Sequence, residues 1–125
     1  MIFDTDMFIW AQRGNLRAVQ MIEAEEERLL SVQTYLELMQ GAENKRQHTI
    51  IHSFLSNFGF SVLPFSEGIS HRASVYIETY AISHGLRAGD ALIAATATEH
   101  GKTLCSSNEK HFKPIVGLTL RVFKP

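Results

Sequence analysis

Apolar positions along this chain follow two alternating rhythms. Short β-rich runs are separated by longer stretches with helical spacing, the pattern of an α/β domain with a mainly parallel sheet. Met1–Asp4 reads as a first strand. A helix is expected from Asp6 to about Gly14, then a second through Leu16, Val19 and Ile22 that ends in the acidic run Glu23–Glu27. Arg28–Val32 is a second strand, and Thr34–Gly41 is a short helix with glycine at its exit. His48–Phe58 carries a helical stripe of Ile50, Ile51, Phe54, Leu55 and Phe58, and Ser61–Leu63 before Pro64 is a third strand. A long helix fills Glu67–His84 with Gly85 closing it. Asp90–His100, rich in Ala, Leu and Ile, predicts a helix buried on most sides. Lys102–Cys105 is a fourth strand, Asn108–Phe112 a helical turn and Thr119–Val122 a fifth strand. No repeat, linker or low-complexity tract interrupts this order.

Length and composition narrow the class. The 125 residues fit one domain, 1–125, close to the commonest domain size of about 100–150 residues. A hydrophobic content of 45% is that of an ordinary folded core and excludes disorder. No apolar run approaches the roughly 20 residues that span a bilayer, and no basic segment precedes an apolar one as in a secretory leader. The single cysteine, Cys105, has no internal disulfide partner and reads as a core residue, which suits a reducing, cytoplasmic compartment. A net charge of −1 gives no global field toward a polyanion, although a local basic patch suffices to bind one.

The placement of the acids carries more information. Only three aspartates occur, Asp4, Asp6 and Asp90, against ten glutamates. In open α/β sheets, sites form beyond the carboxyl ends of the strands. Asp4 ends the first strand, Glu37 follows the second, Asn108 follows the fourth, and Asp90 opens the apolar helix. Four oxygen-bearing side chains from distant segments thus fall on one sheet edge. Clustered carboxylates repel and are costly to bury, so such a cluster calls for a cation, and a few hard oxygen ligands suit Mg²⁺ or Mn²⁺. Each residue also has a local reading. Thr34-x-x-Glu37 is a capping-box pattern, Asp90 after Gly89 is a candidate N-cap, and Ser107 or Asn108 are candidate caps as well.

Several stretches taken together resemble a known family. "IFDTDMFIW", "SVQTYLELMQGAENK", "GLRAGDALIAATATEHGKTLCSSNEKHF" and the ending "IVGLTLRVFKP" are similar to PIN-domain ribonucleases, specifically the VapC-type toxins of bacterial and archaeal toxin–antitoxin pairs. The likeness runs over essentially the whole chain, and "DALIAATA" followed by strand, Ser-x-Asn and Phe is its most specific part. It implies a three-layer α/β/α fold around a central, mainly parallel five-stranded sheet. It also implies a homodimer, a cognate VapB-type antitoxin, an RNA substrate and Mg²⁺- or Mn²⁺-dependent endoribonuclease activity leaving a 5′-phosphate and a 3′-hydroxyl. By position, Asp4, Glu37 and Asp90 match the family's core acids and metal ligands, and Asn108 its fourth acidic or amide residue. Thr5 and Ser106 stand at the supporting hydroxyls. Two positions depart from the pattern. Asp6 replaces a usual Asn, and His111 replaces an acid just before the late Phe, leaving fewer carboxylates for a second metal. In the family, antitoxins wrap the toxin and often place an arginine in the acidic site; here an apolar antitoxin helix is expected against Met7–Trp10.

Other readings compete. "FDTDM" also looks like the Asp-x-Asp of haloacid-dehalogenase-type phosphatases, with Asp4 as nucleophile and Asp6 as acid/base, but the later acidic pair is missing because Ala94 stands where its second member belongs. A phospho-receiver domain needs an aspartate after the third strand, where Pro64 and Phe65 stand. A non-catalytic PIN-like module that binds RNA or a partner is the remaining class, and retention of Asp4, Glu37 and Asp90 argues against it. His48 and His52, four apart, lack a Glu or Cys to complete a zinc site. Lys110 and Lys113 are candidates to hold RNA phosphates or ordinary surface lysines.

Overall fold

The computed structural model describes residues 1–125. Its elements run β1 (Ile2–Phe3), α1 (Thr5–Gln12), α2 (Leu16–Glu23), β2 (Leu29–Ser31), α3 (Val32–Gly41), α4 (Lys45–Asn57), β3 (Ser61–Leu63), α5 (Glu67–His84), α6 (Ala88–Glu99), β4 (Leu104–Ser106), α7 (Glu109–Phe112) and β5 (Leu120–Val122). The strands form one five-stranded sheet in the order β3-β2-β1-β4-β5. Every pairing is parallel, so the sheet is wholly rather than mainly parallel.

Side chains alternate across this sheet, and the two faces collect two cores. Ile2, Leu29 and Leu104 turn to the side covered by α5 and α6, where Ile69, Tyr76, Ile93 and Ala94 are buried. Phe3, Leu30 and Cys105 turn the other way, onto Met7, Phe8, Ile22 and Leu55. The result is an α/β/α sandwich. Helix α6 buries Ala91, Ile93, Ala94, Ala95, Thr96 and Ala97 together. Its run of small residues lets it lie close to the sheet, and its start is held near the strand ends.

The chain moves from β1 outward to β2 and β3, then crosses back to β4 on the other side of β1. The order of strands therefore reverses between β1 and β4, and a crevice opens beyond their carboxyl ends. The Asp4 N–H donates to the Cys105 carbonyl at 2.9 Å, so Asp4 leaves β1 directly beside the residues that leave β4.

Two local expectations are corrected by the helix starts. Helix α3 begins at Val32 with Ser31 as its N-cap, the Ser31 hydroxyl accepting from the Gln33 N–H at 3.1 Å. Thr34 is buried within the first turn, so Thr34 and Glu37 do not form a capping box. The two-residue shift arises because Val32 and Gln33 continue from the strand without a break. Helix α6 likewise begins at Ala88 after Arg87, placing Asp90 inside the first turn rather than at the cap. Asp4 caps α1, its carboxylate accepting from the Thr5 N–H at 2.8 Å.

Because Ser31 and not Thr34 starts α3, Ser31→Ala is expected to lower the unfolding free energy by about 1 kcal/mol, the ordinary loss of an N-cap. Urea unfolding at fixed m-value measures it, and an unchanged midpoint contradicts the assignment.

Candidate metal centre

Asp4 is the most confined of the acids, with 5% of its surface exposed. Its Oδ1 accepts from the Thr5 N–H, and its Oδ2 accepts from the Ser106 hydroxyl at 2.7 Å. The Ser106 hydroxyl also accepts from the Asn108 N–H at 2.9 Å. One buried hydroxyl thus ties the end of β4 to the end of β1.

Asp6 lies in the first turn of α1 and is not its cap. The backbone N–H of Ser107 donates to Asp6 Oδ2 at 3.0 Å, and the Ser107 hydroxyl donates to the same oxygen. Asp6 Oδ1 is buried without any hydrogen-bond partner. An orphaned carboxylate oxygen costs free energy unless a proton donor or cation faces it.

Glu37 projects from α3 toward the same edge. Thr5 Oγ1 donates to Glu37 Oε1 at 2.5 Å and shares a 3.2 Å contact with the Thr34 hydroxyl. The Gln33 amide donates to Glu37 Oε2 at 3.3 Å. A Cβ at residue 89 would meet Glu37 Oε2 at 2.7 Å, so glycine there lets this carboxylate lie where it does against the first turn of α6. Glycine beside Asp90 was thus a signal of close approach by an acid, not of a cap.

Asp90 is half-buried, and His111 Nδ1 lies 3.0 Å from its Oδ2. His111, noted in the sequence only as a departure, is therefore part of the cluster. Asn108 stands at the N-cap position of α7 without a side-chain cap bond; its amide nitrogen lies 3.0 Å from His111 Nδ1 instead. Ser107 and Gln33 are further site residues that motif spacing did not single out. Gln33 reaches Glu37 one turn along the same helix, while the role of Ser107 depends on how the chain turns after β4.

The acids share one electrostatic field. Burial pushes the Asp4 carboxyl up to about 8, and the nearby charges of Asp6 and Asp90 add to it against the opposing bonds from Ser106 and Thr5. Burial also raises Asp90, with Glu37 contributing, while His111 pulls it down. No lysine or arginine pairs with Asp4, Asp6, Glu37 or Asp90; the basic side chains in ion pairs are Arg72, Lys102, Lys113, Lys124 and His111. Lys113 is engaged by Glu109, and Lys110 is exposed at the rim.

The donors fit a particular kind of ion. No three histidine, cysteine, aspartate or glutamate side chains converge closely enough to cage a metal. Mg²⁺ is usually held by one or two carboxylates and keeps several waters. A cluster of hard oxygens without a lysine or arginine beside it, one of them orphaned, suits a hydrated ion of that type. The histidine pair on α4 is not such a site: His48 Nε2 lies 2.8 Å from the Met39 carbonyl, and His52 packs beside Tyr35. Ala94, the position a phosphatase needs as an acid, is fully buried in the core.

From the acids an apolar groove of about 480 Å³ leads away between α1, α3 and α4, starting at Thr5 and Glu37 and running past Ile9 to Ile50 and Phe54. Of the run Met7–Trp10, read as core of which part could face a partner, Met7 and Phe8 are core residues and Ile9 is the one open at 38% exposure.

Comparison with known proteins agrees with this geometry. The family model described as "PIN domain" matches residues 1–117, and the chain belongs to the PIN-domain family. A toxin–antitoxin complex from Klebsiella pneumoniae contains a chain 30% identical, with 94% of each chain covered and a TM-score of 0.79. FitAcB from Neisseria gonorrhoeae is 26% identical over 95% of this chain and 94% of that one, with a TM-score of 0.74. DNA-bound VapBC from Salmonella typhimurium, at 20% identity, shares the fold, with a TM-score of 0.80 over 97% of this chain and 96% of that one. No curated protein matches the sequence. No helix is long and apolar enough to cross a membrane.

A raised carboxyl pKa has a definite consequence for stability. Asp4 holds its proton more tightly folded than unfolded, so its contribution is complete below pH 4 and is lost as pH rises toward about 8. In chelator, the melting temperature of the wild type should fall between pH 5 and pH 8, and Asp4→Asn should flatten that fall. Parallel pH profiles for the two proteins contradict the origin assigned to it.

Proposed function

We propose that this protein is a Mg²⁺- or Mn²⁺-dependent endoribonuclease, the toxin of a type II toxin–antitoxin pair. The observation that carries the reading is that Asp4, Glu37 and Asp90, from three separate segments, lie at the strand-order reversal, Asp4 feeling the charge of Asp90 and Asp90 that of Glu37, with no lysine or arginine to neutralise them. The family match and the likeness to toxin–antitoxin complexes support the same class.

Asp4 and Asp90 are the residues to hold the ion, with Glu37 as the third acid. When bound, the ion supplies acidification of a water and stabilisation of charge on the phosphodiester during in-line displacement. The chain's own groups do the positioning. Ser106 and the Thr5 N–H fix the Asp4 carboxylate, and Thr5 and Gln33 fix Glu37. Glu37, at the opening of the groove, orients the attacking water and accepts its proton. Lys110, unpaired at the rim, meets the RNA backbone. Hydrolysis by water on this route leaves a 5′-phosphate and a 3′-hydroxyl. The active unit is a cytoplasmic homodimer.

The groove beside Glu37 gives the antitoxin its place. An apolar helix laid along Ile9, Ile50 and Phe54 brings a basic side chain from its end to the acids, where a guanidinium can engage a carboxylate through two hydrogen bonds.

Cleavage of single-stranded RNA in a Mg²⁺ series, with end-group analysis, tests this reading. Asp4→Asn and Asp90→Asn should abolish cleavage, and Glu37→Gln should do so with little change in melting temperature. Adding the antitoxin should stop the wild type, and an antitoxin lacking the arginine should bind while inhibiting less. Metal-independent cleavage, or full activity in Glu37→Gln, sinks the mechanism; RNA binding without cleavage favours a non-catalytic module.

A further inference from the structure

His111 sits between two polar groups that make opposite demands on one atom. Its Nδ1 is 3.0 Å from Asp90 Oδ2 and 3.0 Å from the Asn108 amide nitrogen. A ring nitrogen carries either a proton or a lone pair, so it cannot donate to the carboxylate and accept from the amide together. A lone pair facing a carboxylate oxygen at this distance is repulsive, whereas an N–H there is a charge-assisted hydrogen bond. Nδ1 therefore carries the proton. The Asn108 amide, whose two orientations fill the same space, turns its oxygen toward that N–H.

The consequence reaches beyond one hydrogen bond. Asp90 Oδ2 is engaged by His111, which leaves Oδ1 the more open of its two oxygens to a cation. The neighbouring residues act in the same manner, Ser106 on Asp4 Oδ2 and Ser107 on Asp6 Oδ2. The short segment from Ser106 to His111 thus takes one oxygen from each of the chain's three aspartates. Outer partners of this kind set the orientation of a ligand, and losing one typically weakens metal binding by about 10–100-fold.

We propose that His111 is the positioning residue of the metal centre, its Nδ1–H clamping Asp90 Oδ2 so that Asp90 presents its carboxylate to the ion in one fixed orientation. This inference rests on the metal-dependent reading above. It makes the position occupied by His111 a determinant of how the site binds a cation, although the ring does not itself touch the ion.

Two measurements on the full chain test it. In the metal-free wild type, two-bond ¹H–¹⁵N correlation of the labelled histidines should show a proton on His111 Nδ1. Mn²⁺ calorimetry should then separate two conservative variants. His111→Asn puts an amide N–H where Nδ1–H stands and should bind Mn²⁺ as the wild type does. His111→Gln places its amide further out, at the reach of Nε2, and should lose about 10–100-fold in affinity. A role in packing alone predicts the reverse order, because Gln fills more of the ring's volume. An Nε2–H tautomer, or wild-type affinity in His111→Gln, overturns the proposal while leaving the metal site standing. If the wild type binds no Mn²⁺, the metal site itself falls and the proposal falls with it; the tautomer, read without metal, shows which of the two has failed.

Discussion

The arrangement depends on a repulsion that the fold does not relieve. Asp4 is buried at the end of β1, close enough to Asp6 and Asp90 to feel both charges, and no lysine or arginine is paired with any of them. Burying a carboxylate beside like charges is among the costlier acts in a protein interior. Here the cost is partly offset by aimed hydrogen bonds, one hydroxyl or N–H per oxygen, and it is reflected in a carboxyl that resists ionisation until about pH 8. A core built only for stability has no use for such a site. A divalent cation, as proposed, would resolve it by supplying positive charge at the cluster.

The rest of the structure can be understood as support for that cluster. The crossing from β3 back to β4 brings β1 and β4 side by side, and their last backbone hydrogen bonds set Asp4 against Ser106. Gly89 gives α6 room for Glu37, and the buried small residues behind it keep that helix tight against the sheet. Thr5 holds Glu37, Ser107 holds Asp6 and His111 holds Asp90. Each acid is thus set by a neighbour from another element, which leaves little freedom for the cluster to spread apart.

Much of the fold was legible in the sequence because strand and helix periods are distinct and sites in parallel sheets gather at strand ends. Asp4, Glu37, Asp90 and Asn108 could be placed on one edge from order alone. The failures share a cause. Thr34 and Asp90 were plausible caps by local pattern, yet the helices start two residues earlier, at Val32 and Ala88, because the strand end at Ser31 and the turn at Arg87 decide where the backbone coils. The run Met7–Trp10 holds more apolar residues than one buried stripe needs; Met7 and Phe8 fill the face of the sheet opposite α5 and α6, and only the fold shows that Ile9 is the part left open. Ser107 and His111 carry no motif of their own; their roles come from a turn that folds α7 back over the acids, which no spacing along the chain encodes.

The central claim is that these carboxylates hold a divalent ion. Anomalous diffraction from crystals grown with Mn²⁺ tests it most directly. The account predicts a peak within a coordination distance of roughly 2.1 Å from oxygens of Asp4 and Asp90, with waters completing the shell. An acidic cluster free of metal at saturating Mn²⁺, or a peak held by other residues, contradicts it.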